Sequence, residues 1–431
     1  MSDNHSKPET SPDHVDRRSA SLLFAYGFGN AAAYVIARTI ADSQFLSRIG
    51  PGELPKVYLA AAGVVALASA IYGKLIRGAS VRGAVITTLG ILSAATAVLP
   101  FVVHAFPVSP IAMTAVYLLA QVRGSLGTIQ FTMLLNEQFA QRQPERVVGV
   151  LGIGSTLAGF SLGIALGQFL DVSDLPSLLY AVAGIDLLTM IPVKMLPPGR
   201  KFGAVSANQF LRSKTAKGNQ PRGRPGRYPI QIAVMVAFAV LAMTLVEYQW
   251  KVTVANQLHR SEADLAKYFG TFYGCVFLVT GVMQFFVTAP ILERRGVITG
   301  LVMFPFALLF SSVGIMLAAP GRMLLWAVTL AKGCDALKRS LNDPAVHVLY
   351  SPLPSELRHQ VVTWVSGIIK PLTEAFASVL LIVFAADLST SQLSVIVIAV
   401  VAIWLALDVL VWRGFEVERR RIQKCQDLDA S

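Results

Sequence analysis

Lys194-Met-Leu-Pro-Pro-Gly-Arg-Lys201, continuing through Arg212, Lys214, Lys217, Arg222, Arg224 and Arg227 among Gly, Pro, Asn and Gln, divides a strongly apolar chain into two nearly equal parts. Such a mixture has the composition of a hydrated linker. Before it lie six apolar stretches, at 19–41, 56–76, 82–104, 109–134, 147–170 and 176–196. After it lie six more, at 229–253, 266–291, 297–319, 321–345, 359–387 and 391–413. A helix that crosses a bilayer needs about 20 mostly apolar residues, and each stretch is long enough or nearly so. The expected organisation is a tail at 1–18, a six-helix half at 19–196, a basic linker at 197–228, a second six-helix half at 229–413 and a tail at 414–431.

Composition narrows the class. The 431 residues are 54% hydrophobic and 14% charged, whereas a soluble domain carries about a quarter charged residues. Lipid forces every backbone polar group to be satisfied internally, leaving helices or a closed barrel, and apolar runs without alternation exclude the barrel. The chain is therefore expected to be an all-α polytopic membrane protein with twelve transmembrane helices. Its formal charge of +12 does not point to nucleic acid, because the bases collect at helix ends and in loops rather than on an aromatic-laced surface. Positive-inside bias accounts for them, with both termini and the linker cytoplasmic and the protein in the inner (cytoplasmic) membrane. Residues 1–18 resemble neither a secretory signal nor a transit peptide. Cys275, Cys334 and Cys425 offer no disulfide framework. The histidines and cysteines lack metal-ligand spacing, and no nucleophile–base set stands out, so no metal, cofactor or enzymatic activity is expected. Gly152-Ile-Gly154 follows no strand and precedes no Lys, so it is not a nucleotide-binding loop.

Charges inside the apolar stretches carry the functional reading, since an ionised group at bilayer depth costs at least ~2.5–3.5 kcal/mol and normally faces a bundle interior or a wet cavity. Arg38 and Asp42 are spaced to pair on one helix face, and Glu247 and Lys251 repeat the spacing with opposite polarity in the first span of the second half. Either these pairs neutralise themselves at helix ends or they line a translocation path. The tenth span carries Lys332, Asp335, Lys338, Arg339 and Asp343-Pro344; Lys332 can pair with Asp335, and Asp335 with Arg339. Asp343-Pro344 is expected to mark that helix's end. Lys370 and Glu374 add a further i, i+4 pair beside Pro371. Arg123, with Gln121 and Thr128 as polar neighbours, reads either as an anion clamp or as a partner for an acid on another helix such as Asp42. Asp186 and Asp408 are isolated acids with packing or interfacial roles. Ser155, Gly159, Gly163 and Gly167 at four-residue spacing let a neighbouring helix approach closely.

Several stretches carry a resemblance. Two six-helix halves joined by a cytoplasmic loop form the plan of the major facilitator fold. Gly73-Lys-Leu-Ile-Arg77-Gly-Ala-Ser-Val-Arg82 and Glu293-Arg-Arg-Gly296 are similar to that superfamily's basic turns, although ordinary positive-inside anchoring explains them as well. Leu245-Val-Glu-Tyr-Gln-Trp-Lys251 followed by Tyr268-Phe-Gly270 resembles the seventh span and following loop of the ATP/ADP translocases of plastids and intracellular bacteria. Tyr117-Leu-Leu-Ala-Gln-Val-Arg-Gly-Ser125, Asn136-Glu-Gln138, Leu151-Gly-Ile-Gly154, the Arg38 and Asp42 pair, and Lys338 through Ser340-Leu to Asp343-Pro344 extend the likeness over most of the chain. Glu247 matches, but Ala41, Gln121 and Val346 stand where that family has Lys, Glu and Lys. The resemblance implies the fold and a nucleotide or other phosphate-bearing substrate, while the missing lysines imply a poor hold on a triphosphate.

The sequence is thus read as a secondary active transporter that moves a polar, anionic metabolite by alternating access. Arg38, Gln121, Arg123, Lys251, Lys332 and Lys338 are the expected substrate-binding residues. Asp42, Glu247, Asp335 and Glu374 are the expected coupling or ion-pair residues, with Asp42 or Glu247 taking a coupling proton if symport operates. The bilayer and a small anionic solute are the expected partners of a monomer. Two alternatives are a proton-coupled exporter of drug-like or cationic solutes, if Asp42 and Glu247 face the cavity without basic partners, and a non-transporting scaffold or sensor with the same fold.

Overall fold

The computed structural model describes residues 12–78, 80–107, 109–139, 144–168, 172–197, 227–318, 321–353, 355–384 and 388–429. Most of the expected linker, most of the N-terminal tail and residue 79 of the first basic turn lie outside these residues. The described residues form twelve long helices and no strand. The first six are α1 (Pro12–Gln44), α2 (Leu54–Gly78), α3 (Val81–Ala105), α4 (Pro110–Phe139), α5 (Pro144–Gln168) and α6 (Leu178–Met195). The second six are α7 (Arg227–Gln257), α8 (Glu262–Met283, extended through Ala289–Arg295), α9 (Val297–Leu317), α10 (Arg322–Gly333, extended to Leu349), α11 (Ser355–Trp364, extended to Phe384) and α12 (Thr390–Asp429).

Packing repeats with an offset of six helices. Helix α1 packs on α4, α5 and α6, and α7 on α10, α11 and α12. In the same way α3 packs on α4 and α6, and α9 on α10 and α12. This is the signature of two similar bundles, the arrangement of major-facilitator halves. The bundles meet where α5 packs on α8, α2 on α11 and α1 on α8. Because successive helices alternate in direction, the start of α1, the connection from α6 to α7 and the end of α12 share one end of the molecule, the linker end. Nine helical stretches among the described residues are long and apolar enough to cross a membrane. Helices α4, α5 and α10 are not among them; α4 and α10 carry buried cations, Arg123 and Lys332.

Four prolines shape the helices. Pro51, Pro290, Pro344 and Pro371 each come two residues after a five-residue π turn, at Phe45–Ile49, Gln284–Thr288, Lys338–Asn342 and Val365–Ile369. Proline has no N–H to donate, and its ring clashes with the carbonyl one turn back. At Pro290, Pro344 and Pro371, where the helix runs on, widening that turn relieves the clash, and such π turns are frequent at functional sites; Pro51 instead follows Gly50, whose positive φ ends the helix. This corrects the expectation for Asp343-Pro344: the helix does not stop there but widens and runs on to Leu349. Conventional signals set other ends. Ser80 caps α3 by accepting from the Gly83 N–H at 3.1 Å, and Ser261 caps α8 by accepting from the Asp264 N–H at 3.3 Å.

Candidate functional site

Arg38 and Asp42 lie in the last two turns of α1 before its π turn, far from the linker end, and Glu247 and Lys251 occupy the corresponding depth on α7. Within each helix the i, i+4 pairs form: the Arg38 Nε to Asp42 Oδ2 distance is 2.9 Å, and Lys251 Nζ to Glu247 Oε1 is 2.8 Å. The helices also pair across the interface. Arg38 Nη2 donates to Glu247 Oε1 at 2.6 Å and Lys251 Nζ to Asp42 Oδ1 at 2.8 Å, each a bond between residues 209 apart in sequence. The charge-reversed repeat therefore closes on itself as a four-membered ring of ions. Lys332 of α10 extends it, lying 3.4 Å from Glu247 and 2.7 Å from Asp335. The six side chains comprise three cations and three carboxylates.

The centre of this network is buried. Asp42 and Lys251 are fully buried, and of the four ring members only Glu247 retains substantial exposure, at 23%. Hydroxyl donors complete the shell. Tyr273 donates to Asp42 Oδ2, and Lys251 donates to the Tyr117 oxygen at 2.8 Å. Aromatic rings exclude water around them: Trp250 is fully buried among Phe269, Phe272 and Tyr273, and its Nε1 donates to the Tyr268 oxygen at 2.9 Å. Buried charges persist only when paired and hydrogen-bonded, and every member here is.

On the linker side of the network lies a cavity of about 580 Å³ between the two halves. Asn30, Tyr34, Gln121, Thr128, Phe131 and Ser155 contribute walls from the first half. Thr244, Phe277, Lys338, Arg339, Asp343 and Glu374 contribute them from the second, with Glu247 as the shared roof. The size suits a small organic solute. Farther out, Arg48 and Glu262 form a bidentate pair at 2.9 and 3.2 Å across the halves.

The small-residue ridge of α5 finds its neighbour in the other half. A Cβ placed on Gly163 would sit 2.5 Å from Gly274 Cα, and one on Gly167 would sit 2.0 Å from Thr271 Oγ1. One on Gly270 of α8 would come within 3.0 Å of the Gly163 carbonyl oxygen. The two backbones touch at the end of the interface away from the linker, so the ridge serves the closed contact between bundles.

The sequence-derived residues divide into three groups. Arg38, Asp42, Glu247, Lys251, Lys332 and Asp335 converge in one network above the cavity, of which Glu247 borders the cavity itself. Gln121, Lys338 and Glu374 line the cavity, with Lys338 held 3.3 Å from Asp343. Arg123 pairs with an acid on another helix. Its guanidinium is buried within the first half, bonding Asp186 at 2.5 and 2.6 Å and Thr96 Oγ1 at 2.9 Å. Arg123 also borders the cavity, but its acid partner is Asp186 rather than Asp42. Asp186, read as an isolated acid, is its ion partner. Asp335 is taken by Lys332, while Arg339 lies over the Phe277 ring at 5.3 Å. Glu374, expected to pair with Lys370, stands in the cavity wall. Sequence reasoning missed Tyr117 and Tyr273, whose hydroxyls serve the network; nothing in helical spacing marks a tyrosine that reaches across helices.

Residues 225–413 match the family model of the TLC ATP/ADP transporters. The likeness noted in the sequence is thus borne out across the second half. No protein of curated function matches the chain. Solved structures share the fold. The nucleoside transporter NupG, in a variant form, superposes with a TM-score of 0.59 at 12% identity, covering 93% of this chain and 99% of that one. The xylose transporter XylE from E. coli, partially occluded and inward open, gives 0.62 at 11% identity over 93% and 98% of the two chains. The peptide transporter POT in complex with alafosfalin gives 0.63 at 11% identity over 93% and 95%. At such identities the likeness is one of fold. The chain has the major facilitator fold, with nine helical stretches among the described residues long and apolar enough to cross a membrane.

Proposed function

We propose that this protein is a secondary active transporter of a polar, anionic metabolite, working by alternating access. One observation carries the reading: a six-charge network joins the two halves directly above a polar cavity that lies between them. Arg38, Asp42, Glu247, Lys251, Lys332 and Asp335 act as the latch that shuts one side. Gln121, Lys338 and Glu374 contact the solute, and the Arg123 to Asp186 pair braces the first-half wall. With both tails and the linker of residues 197–228 cytoplasmic in the inner membrane, the latch closes the outer side and the cavity serves the inner one. Each chain holds its own cavity, which suits a monomer.

The family match over residues 225–413 makes an adenine nucleotide the first solute to test, by counterflow of labelled ADP into proteoliposomes preloaded with ADP, AMP or sugar phosphates. Saturable uptake that unlabelled solute accelerates from the other side supports exchange. Uptake of neutral or cationic solutes alone would overturn the anionic reading. Proton-coupled export of cations is disfavoured, since Asp42 and Glu247 both have basic partners. A non-transporting scaffold is disfavoured by the open, polar cavity.

A further inference from the structure

The cations of the latch and of the cavity lining can be accounted for singly. Arg38, Lys251 and Lys332 belong to the latch. Arg123 is held by Asp186 and Thr96, and Lys338 by Asp343. Arg339 differs: it lines the cavity, and its guanidinium rests on the face of Phe277, 5.3 Å from the ring centroid. A guanidinium stacked in this way has one flat face covered by the ring. The five N–H groups lie in the plane and point outward from its edges, the geometry that binds a carboxylate or phosphate through two parallel bonds. We infer that Arg339 is the anchor for a single oxyanion on the solute, a carboxylate or a phosphate monoester, whose remaining body lies against the polar first-half wall of Asn30, Gln121 and Thr128. This deepens the proposed function and rests on the cavity being the solute site.

Local structure supports the placement. Lys338 and Arg339 open the π turn imposed by Pro344, and both line the cavity. Phe277 is seated in turn by the opposite bundle. A Cβ on Gly159 of α5 would lie 2.2 Å from its Cγ, so the ring rests on bare backbone.

The same inventory sets the number of charges the site can take. Glu247, Asp343 and Glu374 line the cavity as well. A solute with one oxyanion group can keep it at Arg339, next to Lys338. A triphosphate would bring its further charges towards these carboxylates, and the cations beside Glu247 and Asp343 are already engaged with them.

Binding to the purified protein in nanodiscs, measured by calorimetry and thermal shift with AMP, ATP, glucose 6-phosphate, citrate and lactate, and with adenosine and glucose as neutral counterparts, tests this. At least one compound with a single oxyanion group should bind; its neutral counterpart should not, and ATP should bind at least roughly tenfold more weakly than AMP. Comparison of phosphate esters with lactate separates the two oxyanion sources. Arg339→Gln should weaken the bound compound by roughly 30-fold or more, Arg339→Lys less, and Phe277→Leu by roughly 2- to 5-fold. Should Arg339→Gln fail to fold, the Arg339→Lys and Phe277→Leu pair decides. Unchanged affinity in the Arg339 variants, or preference for ATP, overturns the inference. The cavity-filling Thr128→Trp separates the two claims: if it abolishes binding while the Arg339 variants do not, the site stands and the anchor falls. If it too leaves binding intact, or no anion binds, the proposed function falls with it.

Discussion

Replacing Lys251 with Met keeps most of the side-chain volume and removes one charge from the centre of the latch. Lys251 is fully buried and bonded at 2.8 Å to each of Asp42, Glu247 and the Tyr117 hydroxyl. Removing one member of a buried ion pair costs about 3–5 kcal/mol, because its partner is left uncompensated. The low end applies, since Asp42 keeps Arg38 and Tyr273, and Glu247 keeps Arg38 and Lys332. The loss falls on the state in which the halves touch, where Asp42 meets Lys251. About 3 kcal/mol shifts the balance between closed and opened far ends by roughly a hundredfold. Spin labels at Lys56→Cys and Lys267→Cys, exposed sites on α2 and α8, would report it as a longer distance population. Asp42→Asn combined with Lys251→Met leaves Arg38, Glu247, Lys332 and Asp335 in balance, so the double variant should cost less than the sum of the singles by about 0.5–3 kcal/mol. An unchanged distance distribution in Lys251→Met, or strict additivity in the double variant, would refute the latch.

The α5 to α8 contact gives a steric counterpart: Gly163→Val would press on the Gly274 backbone, so it should hold the far ends apart and abolish uptake, and a variant that still closes by the same labels would discount the ridge. Arg123→Gln leaves Asp186 buried without its bidentate partner and should cost about 3–5 kcal/mol of stability; Arg123→Gln with Asp186→Asn should recover both melting temperature and transport, whereas a solute clamp would stay inactive in the rescued protein. Pro344→Ala removes the cause of the π turn that opens with Lys338 and Arg339 and should weaken solute binding with little change in melting temperature. If binding is unaffected, the turn does not aim those side chains. Arg48→Ala removes a half-exposed pair and should change stability by no more than about 1 kcal/mol, which a thermal melt would read.

The helices and their number were legible because the bilayer imposes one rule on every span: enough apolar residues and an internally bonded backbone. The charge-reversed repeat of Arg38 and Asp42 in Glu247 and Lys251 was visible as spacing. The cost of burying charge singled out nearly every residue of the latch and several of the cavity wall. What spacing could not decide was which acid each base meets. Helical spacing sees one helix, so it offered Asp335 both Lys332 and Arg339 without choosing the Lys332 pair that forms, and it left Arg123 and Asp186 apart.

Sequence alone determined a twelve-span chain in two similar halves with its ionic residues gathered on few helices, because period, length and apolarity are local properties that lipid reads directly. Tertiary structure alone decided that the two i, i+4 pairs interlock across the halves into a buried network, that the glycine ridge of α5 meets α8 of the other bundle, and that Arg339 rests on Phe277 in the cavity wall. These depend on how close two backbones come and how a helix is rotated about its axis. Both are set by the packing of whole bundles, at distances of a few ångströms between residues some two hundred positions apart.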